Sequence, residues 1–578
     1  MIWKHARRHA IIIDGDRRSD TFMAQSRLSI LGVCFALGYL LVMVRLLDLA
    51  VVQNEALFQE TANVVIEKEH EVSSLSPRRG DIYDRHGFLL ATTLKTPSLF
   101  VDPSLVYDGR DLTAKLMAII PDLDRAKVER AIQAKNRFGW IAHNITPAQQ
   151  QDILDVGDPS LGFKYEYKRV YPQGSLFAHL VGYTDRDGLG LSGVERGYDD
   201  VLSAGKDVHL SADLRLQHVV RREVSAAMSD FTAKAGSGII LDAQTGEVLA
   251  GVSLPDFDLN AAGEARDNEI FNRLTLGVYE LGSMFKIFST AALLELHDAP
   301  MGKTFDARKP LKIGRFTIND YHAKKRVMTI PEVFMYSSNI GSALMGKIIG
   351  GKALKAFYAD LGLLDSMRFD IREIGRPIVP NPWRKSTTLT ASYGHGLATT
   401  PLQMSAAVAS IVNGGMTVNP VLVKSDDAQL KSDVRVISEE TSEKMRKLLR
   451  LVVTKGTGKN ADVEGYSLGG KTGTAEKSVN GRYDRKKLIS SFVGAFPMDD
   501  PKYVLMVMVD EPKGNKKSYG YATAGWVAAP AVKRIITSMA SIIGLPADKY
   551  DPENDVAASL DKYLYDEKSK RGKRLVSY

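Results

Sequence analysis

Three short clusters of reactive side chains stand out in the sequence: S-x-x-K from Ser283 to Lys286, S-x-N from Ser337 to Asn339, and K-T-G-T at 471–474. A serine three residues before a lysine on one helix faces the same side, so the Lys286 amine can lie against the Ser283 hydroxyl. A base beside a hydroxyl activates serine for acyl transfer. For this role the pKa of Lys286 must fall from about 10.4 toward 7, a change of about 4 to 5 kcal/mol, which burial can supply.

The spacing alone does not single out Ser283, because S-x-x-K also occurs at Ser203/Lys206 and Ser559/Lys562. The first of these pairs lies on a glycine turn and the second in a charged stretch, where nothing would desolvate the amine. Ser283 instead opens an apolar helix, which places its hydroxyl and backbone N–H at the positive end of a buried helix. Context therefore favours Ser283 as the nucleophile.

The second cluster, Ser337-Ser338-Asn339, lies between two predicted helices. Thr329 and Glu332 have the spacing of a capping box at the start of the first, and a second helix is predicted over 340–349. A polar triplet held in this way could pass protons through Ser337 and hold a substrate amide with Asn339. Taken alone, the segment is better explained as an ordinary loop with helix caps.

The third cluster, Lys471-Thr472-Gly473-Thr474, falls on a predicted strand. Glycine in a strand usually marks the close approach of another segment. A second positive charge near Lys286 would also depress its pKa. The alternative is a bulged strand with no chemical role.

The elements around these clusters indicate an α+β layered domain. A hairpin is predicted from 237 to 253, and a helix that is apolar on nearly every face covers 285–294. Three consecutive strands follow between 466 and 510, joined first by the turn signal Asn480-Gly481, and a helix covers 526–543. A sheet with strands from both ends of the domain and helices between them is expected.

Near the N-terminus, no charged residue interrupts the 17 positions from Leu28 to Val44, which is about 25 Å of helix. The apolar character resumes after Arg45 as far as Val52, so one tilted membrane-spanning helix is predicted. A buried core helix and a cleaved signal peptide are the alternatives, and no small-x-small cleavage site follows. The basic residues of 1–27 predict a cytoplasmic N-terminus, with everything after about residue 53 outside the cytoplasm.

Composition is that of a multi-domain globular protein, with 578 residues, 44% hydrophobic and 25% charged. The net charge of +8 comes without any nucleic-acid-reading motif, so no nucleic-acid partner is expected. The single cysteine, Cys34, allows no intramolecular disulfide. No compact His/Cys/Asp cluster suggests a metal, and no cofactor is expected.

The order S-x-x-K, S-x-N, K-T-G, at separations of 54 and 134 residues, resembles the penicillin-recognising serine transpeptidases and β-lactamases. RRGDIYDRHGFLLA at 78–91, GLSGVERGYDDVL at 190–202 and LSADLRLQHV at 210–219 resemble the pedestal of class B penicillin-binding proteins. Four further segments are similar to the cell-division, FtsI-type branch: SYGHGLATTPLQM at 392–404, SSFVGAFP at 490–497, VDEPKG at 509–514 and TAGWVAAP at 523–530. Two positions depart from the family pattern: Leu281 replaces the proline of Y-E-P-G-S, which could loosen the turn before the nucleophile, and Ser338 fills the middle of S-x-N.

This resemblance implies an α+β fold with a single N-terminal transmembrane helix and an elongated pedestal. A transpeptidase domain with a five-stranded antiparallel sheet packed by helices would follow. The expected divisions are a cytoplasmic basic tail (1–27), a transmembrane anchor (28–52), the pedestal (53–225), the transpeptidase domain (232–545) and a charged, solvated C-terminal tail (546–578). The catalytic domain would then lie outside the cytoplasmic membrane, at the division septum.

The resemblance also assigns roles. Ser283 would be acylated and Lys286 would be its base, with Ser337 as proton relay and Asn339 and Lys471 as further catalytic groups. Backbone N–H groups of Ser283 and Thr474 would form the oxyanion hole. Thr472, Gly473 and Thr474 would bind substrate, with Lys471 and the two threonines holding its carboxylate. Expected partners are peptidoglycan stem peptides, β-lactams, a lipid-linked glycan polymerase and other division proteins of the membrane.

Three alternatives remain open at this stage. Within the class, a β-lactamase or β-lactam sensor would share the motifs, although the long pedestal argues against a lactamase. An elongation-type transpeptidase would share both the motifs and the pedestal. From a different class, the chain could be a scaffold of the division complex whose catalytic site is dispensable.

Overall fold

The computed structural model describes residues 33–45, 78–314, 316–424, 434–479, 482–547 and 555–565, and the chain divides into two units, 1–76 and 77–578. In the first unit the described part is a helix over 33–45, with exposed side chains. The basic tail and the remainder of the predicted anchor, 28–32 and 46–52, lie outside the described residues. Within the described ranges no helix combines the length and the apolar character needed to cross a membrane.

The helices and strands of the described residues are numbered in chain order. The helices are α1 (33–45), α2 (Gly109–Ile119), α3 (Arg125–Ile132), α4 (Pro147–Val156), α5 (Ala178–Val181), α6 (Gly193–Gly197), α7 (Asp199–Ser203), α8 (Leu214–Asp230), α9 (Asp267–Ile270), α10 (Lys286–His297), α11 (Ile330–Met335), α12 (Asn339–Ile349), α13 (Gly351–Asp360), α14 (Lys385–Ala391), α15 (Pro401–Val412), α16 (Glu439–Lys455) and α17 (Ala528–Ile543). The strands are β1 (Ile82–Tyr83), β2 (Leu89–Val101), β3 (Gly139–Ala142), β4 (Leu161–Val170), β5 (Val208–His209), β6 (Ala235–Asp242), β7 (Val248–Leu254), β8 (Thr304–Asp306), β9 (Leu311–Ile313), β10 (Phe316–Ile318), β11 (Val327–Thr329), β12 (Gly469–Val479), β13 (Arg482–Phe496) and β14 (Tyr503–Asp510).

The N-terminal part of the second unit is built on the long strand β2. It pairs antiparallel with β4 from Thr92 to Val101, while β1 and β3 also pair with it and β5 adds to β1 in parallel. Helices α2, α3 and α4 enclose a small apolar core with this sheet. Each of these helices begins at a residue suited to capping; Thr146, for example, forms a capping box with Gln149 at the start of α4.

A buried ion cluster connects strand β4, helices α6 and α7 and the segment just before β1. The Glu195 carboxylate is 0% exposed and accepts from Arg79 Nε and from Arg169 Nε, each at 2.7 Å. Arg79 also donates to the carboxylate of Asp199 at 2.8 Å. Two guanidinium groups therefore depend on one buried carboxylate.

The central sheet of the second unit contains five antiparallel strands in the order β12-β13-β14-β6-β7. Both faces are covered: Ile239 and Leu241 of β6 belong to one apolar core and Ile240 to the other. Helices α8 and α17 pack on the Ile240 face, whereas α10, α15 and α16 contribute to the opposite core. The alternation follows from side chains pointing to opposite faces of a strand.

The expected hairpin, the three consecutive strands and the five-stranded antiparallel sheet packed by helices are confirmed. The last helix begins at Ala528 rather than at residue 526. The predicted turn residues Asn480 and Gly481 lie outside the described residues. The strands at the two ends of the domain meet where β14 pairs with β6.

The prediction of a solvated C-terminal tail is wrong for residues 555–565. Leu560 is 2% exposed and belongs to the larger core, and Asp555 accepts from Arg450 Nε at 2.9 Å. The Tyr563 carbonyl accepts from the Thr329 hydroxyl at 3.0 Å. The charged residues that flank this segment on both sides suggested a solvated tail, but burial of its own apolar residues holds it against the domain. The basic run at 568–574 lies outside the described residues.

Replacing Glu195 by alanine should destabilise the fold by about 3–5 kcal/mol, because the buried Arg169 would lose its carboxylate partner and Arg79 would keep only Asp199. Glu129→Ala is the matched control, since this glutamate pairs with Arg125 at 3.0 Å on the exposed surface of α3. The control should change stability by no more than about 0.5 kcal/mol. Urea denaturation followed by circular dichroism measures both, and equal losses would contradict the assignment of the cluster as a buried support.

Candidate active site

Ser283 lies on a short 3-10 turn, Gly282–Phe285, that runs directly into α10. The sequence predicted the serine and the lysine on one helix; the structure places Ser283 on the turn and Lys286 at the first residue of the α-helix. Gly282 has φ +54, and a Cβ there would lie 3.1 Å from the Thr474 carbonyl oxygen. The turn therefore requires glycine next to Ser283.

Leu281, where the family pattern has proline, comes directly before this turn. Its backbone adopts φ −90 and ψ 6, and its side chain is 0% exposed. An apolar side chain packed in the core thus stands where the family pattern has proline.

The Lys286 side chain is fully buried, and its Nζ atom lies among four oxygens. It is 3.0 Å from Ser283 Oγ, 2.6 Å from the Ser337 carbonyl oxygen, 3.0 Å from Ser337 Oγ and 2.7 Å from Asn339 Oδ1. An ammonium has only three N–H donors. When the amine is neutral, its lone pair can accept a proton from a hydroxyl, and the Ser283 contact is short enough for that transfer.

Burial, and then the positive charge of Lys471, hold the pKa of Lys286 well below its ordinary value, while Asp320 acts in the opposite direction. Burial also lowers the pKa of Lys471, to about 7. The Lys471 Nζ atom lies 3.0 Å from Ser337 Oγ, so both amines meet at one hydroxyl. The electrostatics required of a lysine base are thus present in the fold.

Ser337 and Asn339 belong to the link between α11 and α12. The predicted capping box of Thr329 and Glu332 is confirmed at the start of α11. Ser337 has φ +58, a left-handed conformation that costs a residue other than glycine about 1–2 kcal/mol. Ser338, the middle residue of S-x-N, caps α12 by accepting from the Gly341 N–H at 2.9 Å.

The K-T-G-T segment lies at the start of β12, an edge strand of the sheet. A Cβ on Gly473 would lie 2.4 Å from the Leu281 carbonyl oxygen. Glycine therefore permits the strand to touch residues 281–285, which carry the candidate nucleophile Ser283 and are called the nucleophile turn below. The Thr472 and Thr457 hydroxyls are 2.7 Å apart, and Thr474 Oγ1 accepts from the Ala524 N–H at 3.1 Å. The three predicted clusters therefore meet: Lys471 lies against Ser337, and Gly473 and the Thr474 carbonyl lie against Leu281 and Gly282, next to Ser283.

Residues that the motifs did not assign to the site also contact the turn or the residue before it. Glu280 accepts from the Tyr483 hydroxyl at 2.8 Å and from the Gly396 N–H at 3.1 Å, and the His395 ring lies 4.6 Å from the Tyr483 ring. A Cβ on Gly394 would lie 2.1 Å from the Gly282 carbonyl oxygen. The glycines of Tyr393 to Gly396 were the available signal, because alternating glycines mark close backbone approach.

The two other S-x-x-K pairs form no comparable site. Lys206 and Lys562 are exposed, and the Ser203 hydroxyl accepts from Arg79 NH1 at 3.0 Å. In the parts of the chain that the structure describes, no three His, Cys, Asp or Glu side chains are grouped to hold a metal ion.

Comparison with known families adds independent information to this geometry. The model of the penicillin-binding protein transpeptidase domain matches residues 236–537, and the model of the penicillin-binding protein dimerisation domain matches residues 74–226. The chain belongs to the penicillin-binding protein transpeptidase family.

Individual relatives are similar to this chain over most of their length. A probable peptidoglycan D,D-transpeptidase FtsI of Caulobacter vibrioides is 38% identical over 81% of this chain and 82% of its own length. Stage V sporulation protein D of Bacillus subtilis is 31% identical over 82% of this chain and 79% of its own. The crystal structure of penicillin-binding protein 3 of Mycobacterium tuberculosis with ampicillin superposes with a TM-score of 0.67 at 26% identity, covering 84% of this chain and 99% of that one.

Two glycine substitutions test whether the loop at 393–396 supports the nucleophile turn. Gly394 and Gly396 have φ +79 and +78, so alanine strains the backbone equally at both, but only at Gly394 does the new Cβ meet the turn. Gly394→Ala should slow covalent labelling by fluorescent penicillin about tenfold or more, while Gly396→Ala should stay within about threefold of the parent. Equal slowing by both would mean that loop strain, rather than the contact with Gly282, controls the rate.

Proposed function

We propose that this chain is a peptidoglycan D,D-transpeptidase that cross-links stem peptides through an acyl-enzyme on Ser283. The observation that carries the proposal is the 3.0 Å contact between Ser283 Oγ and the buried Nζ of Lys286, whose pKa is depressed by burial and by Lys471. The family match and the relatives named as D,D-transpeptidases support the same reaction.

In the first step, Ser283 Oγ attacks the carbonyl carbon between the two terminal D-alanines of a donor stem peptide while Lys286 accepts its proton. The oxyanion that forms is stabilised by the backbone N–H groups of Ser283 and Thr474. The C–N bond then breaks, and terminal D-alanine leaves as an amine that receives a proton through Ser337, which is 3.0 Å from both lysine amines.

In the second step, an amine of a neighbouring stem peptide attacks the acyl carbon and loses a proton to Lys286. A new peptide bond forms as the bond to Ser283 Oγ breaks, and Lys286 returns the proton to Ser283 Oγ, 3.0 Å away. Lys471, Thr472 and Thr474 hold the donor's carboxylate, while the close contact at Gly473 keeps their strand against the turn. A β-lactam enters by the same first step and remains attached to Ser283. No metal or organic cofactor takes part in this scheme.

The proposal extends to architecture and place in the cell. The divisions are a cytoplasmic tail (1–27), one membrane-spanning anchor (28–52), a pedestal (53–225), the transpeptidase domain (232–545) and a C-terminal segment (546–578). The catalytic domain acts outside the cytoplasmic membrane at the division septum, next to a lipid-linked glycan polymerase and other division proteins. The similarity to FtsI of Caulobacter vibrioides supports the septal assignment.

Ser283→Ala should abolish covalent labelling by penicillin, because it removes the only atom that this mechanism acylates. Ser559→Ala is the control, since Ser559 belongs to an exposed S-x-x-K pair and should leave labelling unchanged. Mass spectrometry of the adduct maps the modified peptide. A stable adduct supports a transpeptidase, whereas hydrolysis within minutes would identify a β-lactamase, and labelling of Ser283→Ala would refute the nucleophile.

The acylation rate should rise with pH through the folded-state pKa of Lys286, since only the neutral amine accepts the proton, and level off well below pH 10. Removing the positive charge in Lys471→Met raises the pKa of Lys286, so the rise should move to higher pH. The rate of penicillin acylation measured from pH 5 to 10 gives both curves. An unmoved curve in the variant would exclude the coupling between the two lysines.

A fluorescent fusion of the chain should concentrate at mid-cell, and Ser283→Ala should fail to support division. Side-wall localisation would favour an elongation-type transpeptidase. Normal division with Ser283→Ala would favour the scaffold.

A further inference from the structure

Asp320 lies in the loop that follows β10 and binds the segment that carries Ser337 and Asn339. Its Oδ2 atom accepts from the Ser338 hydroxyl at 2.8 Å, and its Oδ1 atom accepts from the Ile340 N–H at 3.0 Å. The preceding carbonyl, of Asn319, accepts from Asn339 Nδ2 at 3.0 Å. Two consecutive loop residues thus bind three consecutive residues, 338–340.

These contacts decide which atom of the Asn339 amide faces Lys286. Because Nδ2 donates to the Asn319 carbonyl, Oδ1 is directed at Lys286 Nζ, 2.7 Å away. A flipped amide would present N–H groups to an amine and leave the Asn319 carbonyl facing an oxygen. The loop therefore fixes the acceptor that Lys286 requires.

Ser337 depends on the same loop. Its left-handed backbone, φ +58, is held on one side by N–H bonds of Ser337 and Ser338 to carbonyls of α11, at 3.2 and 2.9 Å. On the other side the segment is fixed by Asp320, through Ser338 and Ile340. The position of Ser337 Oγ between the two lysine amines follows from both restraints.

We propose that Asp320 is a positioning residue for acyl transfer, whose carboxylate fixes Ser337 and Asn339 against Lys286. This inference rests on the proposed function. Asp320 does not contact Ser283 or Lys286 through any hydrogen bond found among the described residues, so it acts through its neighbours.

The charge of Asp320 has a second effect on the same reaction. The charged groups that act on Lys286 are Lys471, from β12, and Asp320, from the loop; Ser283, Ser337 and Asn339 are its uncharged polar neighbours. The negative charge of Asp320 favours the protonated form of Lys286. It therefore limits how far Lys471 and burial lower the pKa, while the positive N-terminal end of α12 stabilises the carboxylate itself.

Two substitutions separate position from charge. In Asp320→Asn the amide oxygen can still accept from the Ile340 N–H and the amide nitrogen can donate to Ser338 Oγ, so the geometry is kept and the charge is lost. Asp320→Ala loses both hydrogen bonds. The matched controls are Asp124→Asn and Asp124→Ala, because Asp124 caps α3 by accepting from the N–H groups of Ala126 and Lys127 at 2.9 and 3.3 Å, far from Ser283 in sequence and on a different helix.

The measurement is the acylation of the full chain by fluorescent penicillin from pH 5 to 10, resolved into a binding constant and an acylation rate constant. Asp320→Asn should keep the maximal rate constant within about threefold and move its rise to lower pH by about 0.5–1 unit. Asp320→Ala should lower the maximal rate constant about tenfold or more while the binding constant changes by less than about twofold. Both Asp124 variants should match the parent in rate and pH profile.

A purely structural cap predicts a different pattern. If Asp320→Ala acylated at the parental maximal rate, the positioning role of Asp320 would be overturned. Should Asp320→Ala not fold, Asp320→Glu takes its place: it keeps the charge but moves the carboxylate by one methylene group, so a parental maximal rate would likewise overturn the role. A pH profile of Asp320→Asn that stayed in place would overturn the effect of its charge on Lys286. Continued labelling of Ser283→Ala would refute the proposed function, whereas no labelling of Ser283→Ala together with a parental rate for Asp320→Ala would refute only the role of Asp320.

Discussion

The Lys286 amine is removed from water and held between oxygens of two chain segments, and the remainder of the site depends on that arrangement. Burial makes the protonated amine costly, and Lys471 adds like-charge repulsion, so the neutral amine is favoured before any substrate arrives. A buried amine also tolerates little displacement, because each oxygen within 3.0 Å compensates for lost hydration. The surroundings must therefore be rigid, and α10 provides this as a helix whose first nine residues are all buried.

Close backbone contacts bring the three motifs together. Gly473 allows β12 to touch the carbonyl of Leu281, and Gly394 allows another loop to touch the carbonyl of Gly282. The nucleophile turn is thus held between segments about 110 and 190 residues away along the chain. Since β12 is an edge strand supported by β13, β14, β6 and β7 in succession, the position of the K-T-G-T segment is carried by the whole sheet.

The site combines this rigidity with a link held under conformational strain. Ser337 adopts a left-handed backbone at the point where the two lysine amines meet, and helix caps and the loop at Asn319 and Asp320 hold it there. Strained residues of this kind persist where neighbouring contacts outweigh their cost. Elsewhere in the same unit, Glu195 accepts hydrogen bonds from two arginines, and residues 555–565 form hydrogen bonds with Arg450 and Thr329.

Local patterns in the sequence predicted most of the helices and strands and the residues of the candidate site. The alternating and all-apolar patterns predicted the hairpin, the three strands and the buried helix, because side-chain periodicity is a local property. Context separated Ser283 from two accidental matches for the same reason: apolar neighbours on one helix predict burial. The capping box at Thr329 was likewise local and was confirmed.

Contacts between segments that are distant along the chain became visible only in the tertiary structure. Four features join residues whose separation along the chain carries no local signal. They are the convergence of Lys286 and Lys471 on Ser337 Oγ, the support from Glu280, Tyr483 and Gly394, the hydrogen bonds of Asp320 to the S-x-N segment, and the packing of Leu560. Their contacts exist only once the folded chain brings these distant segments together, so packing, and not composition or spacing, turned three short motifs into one site.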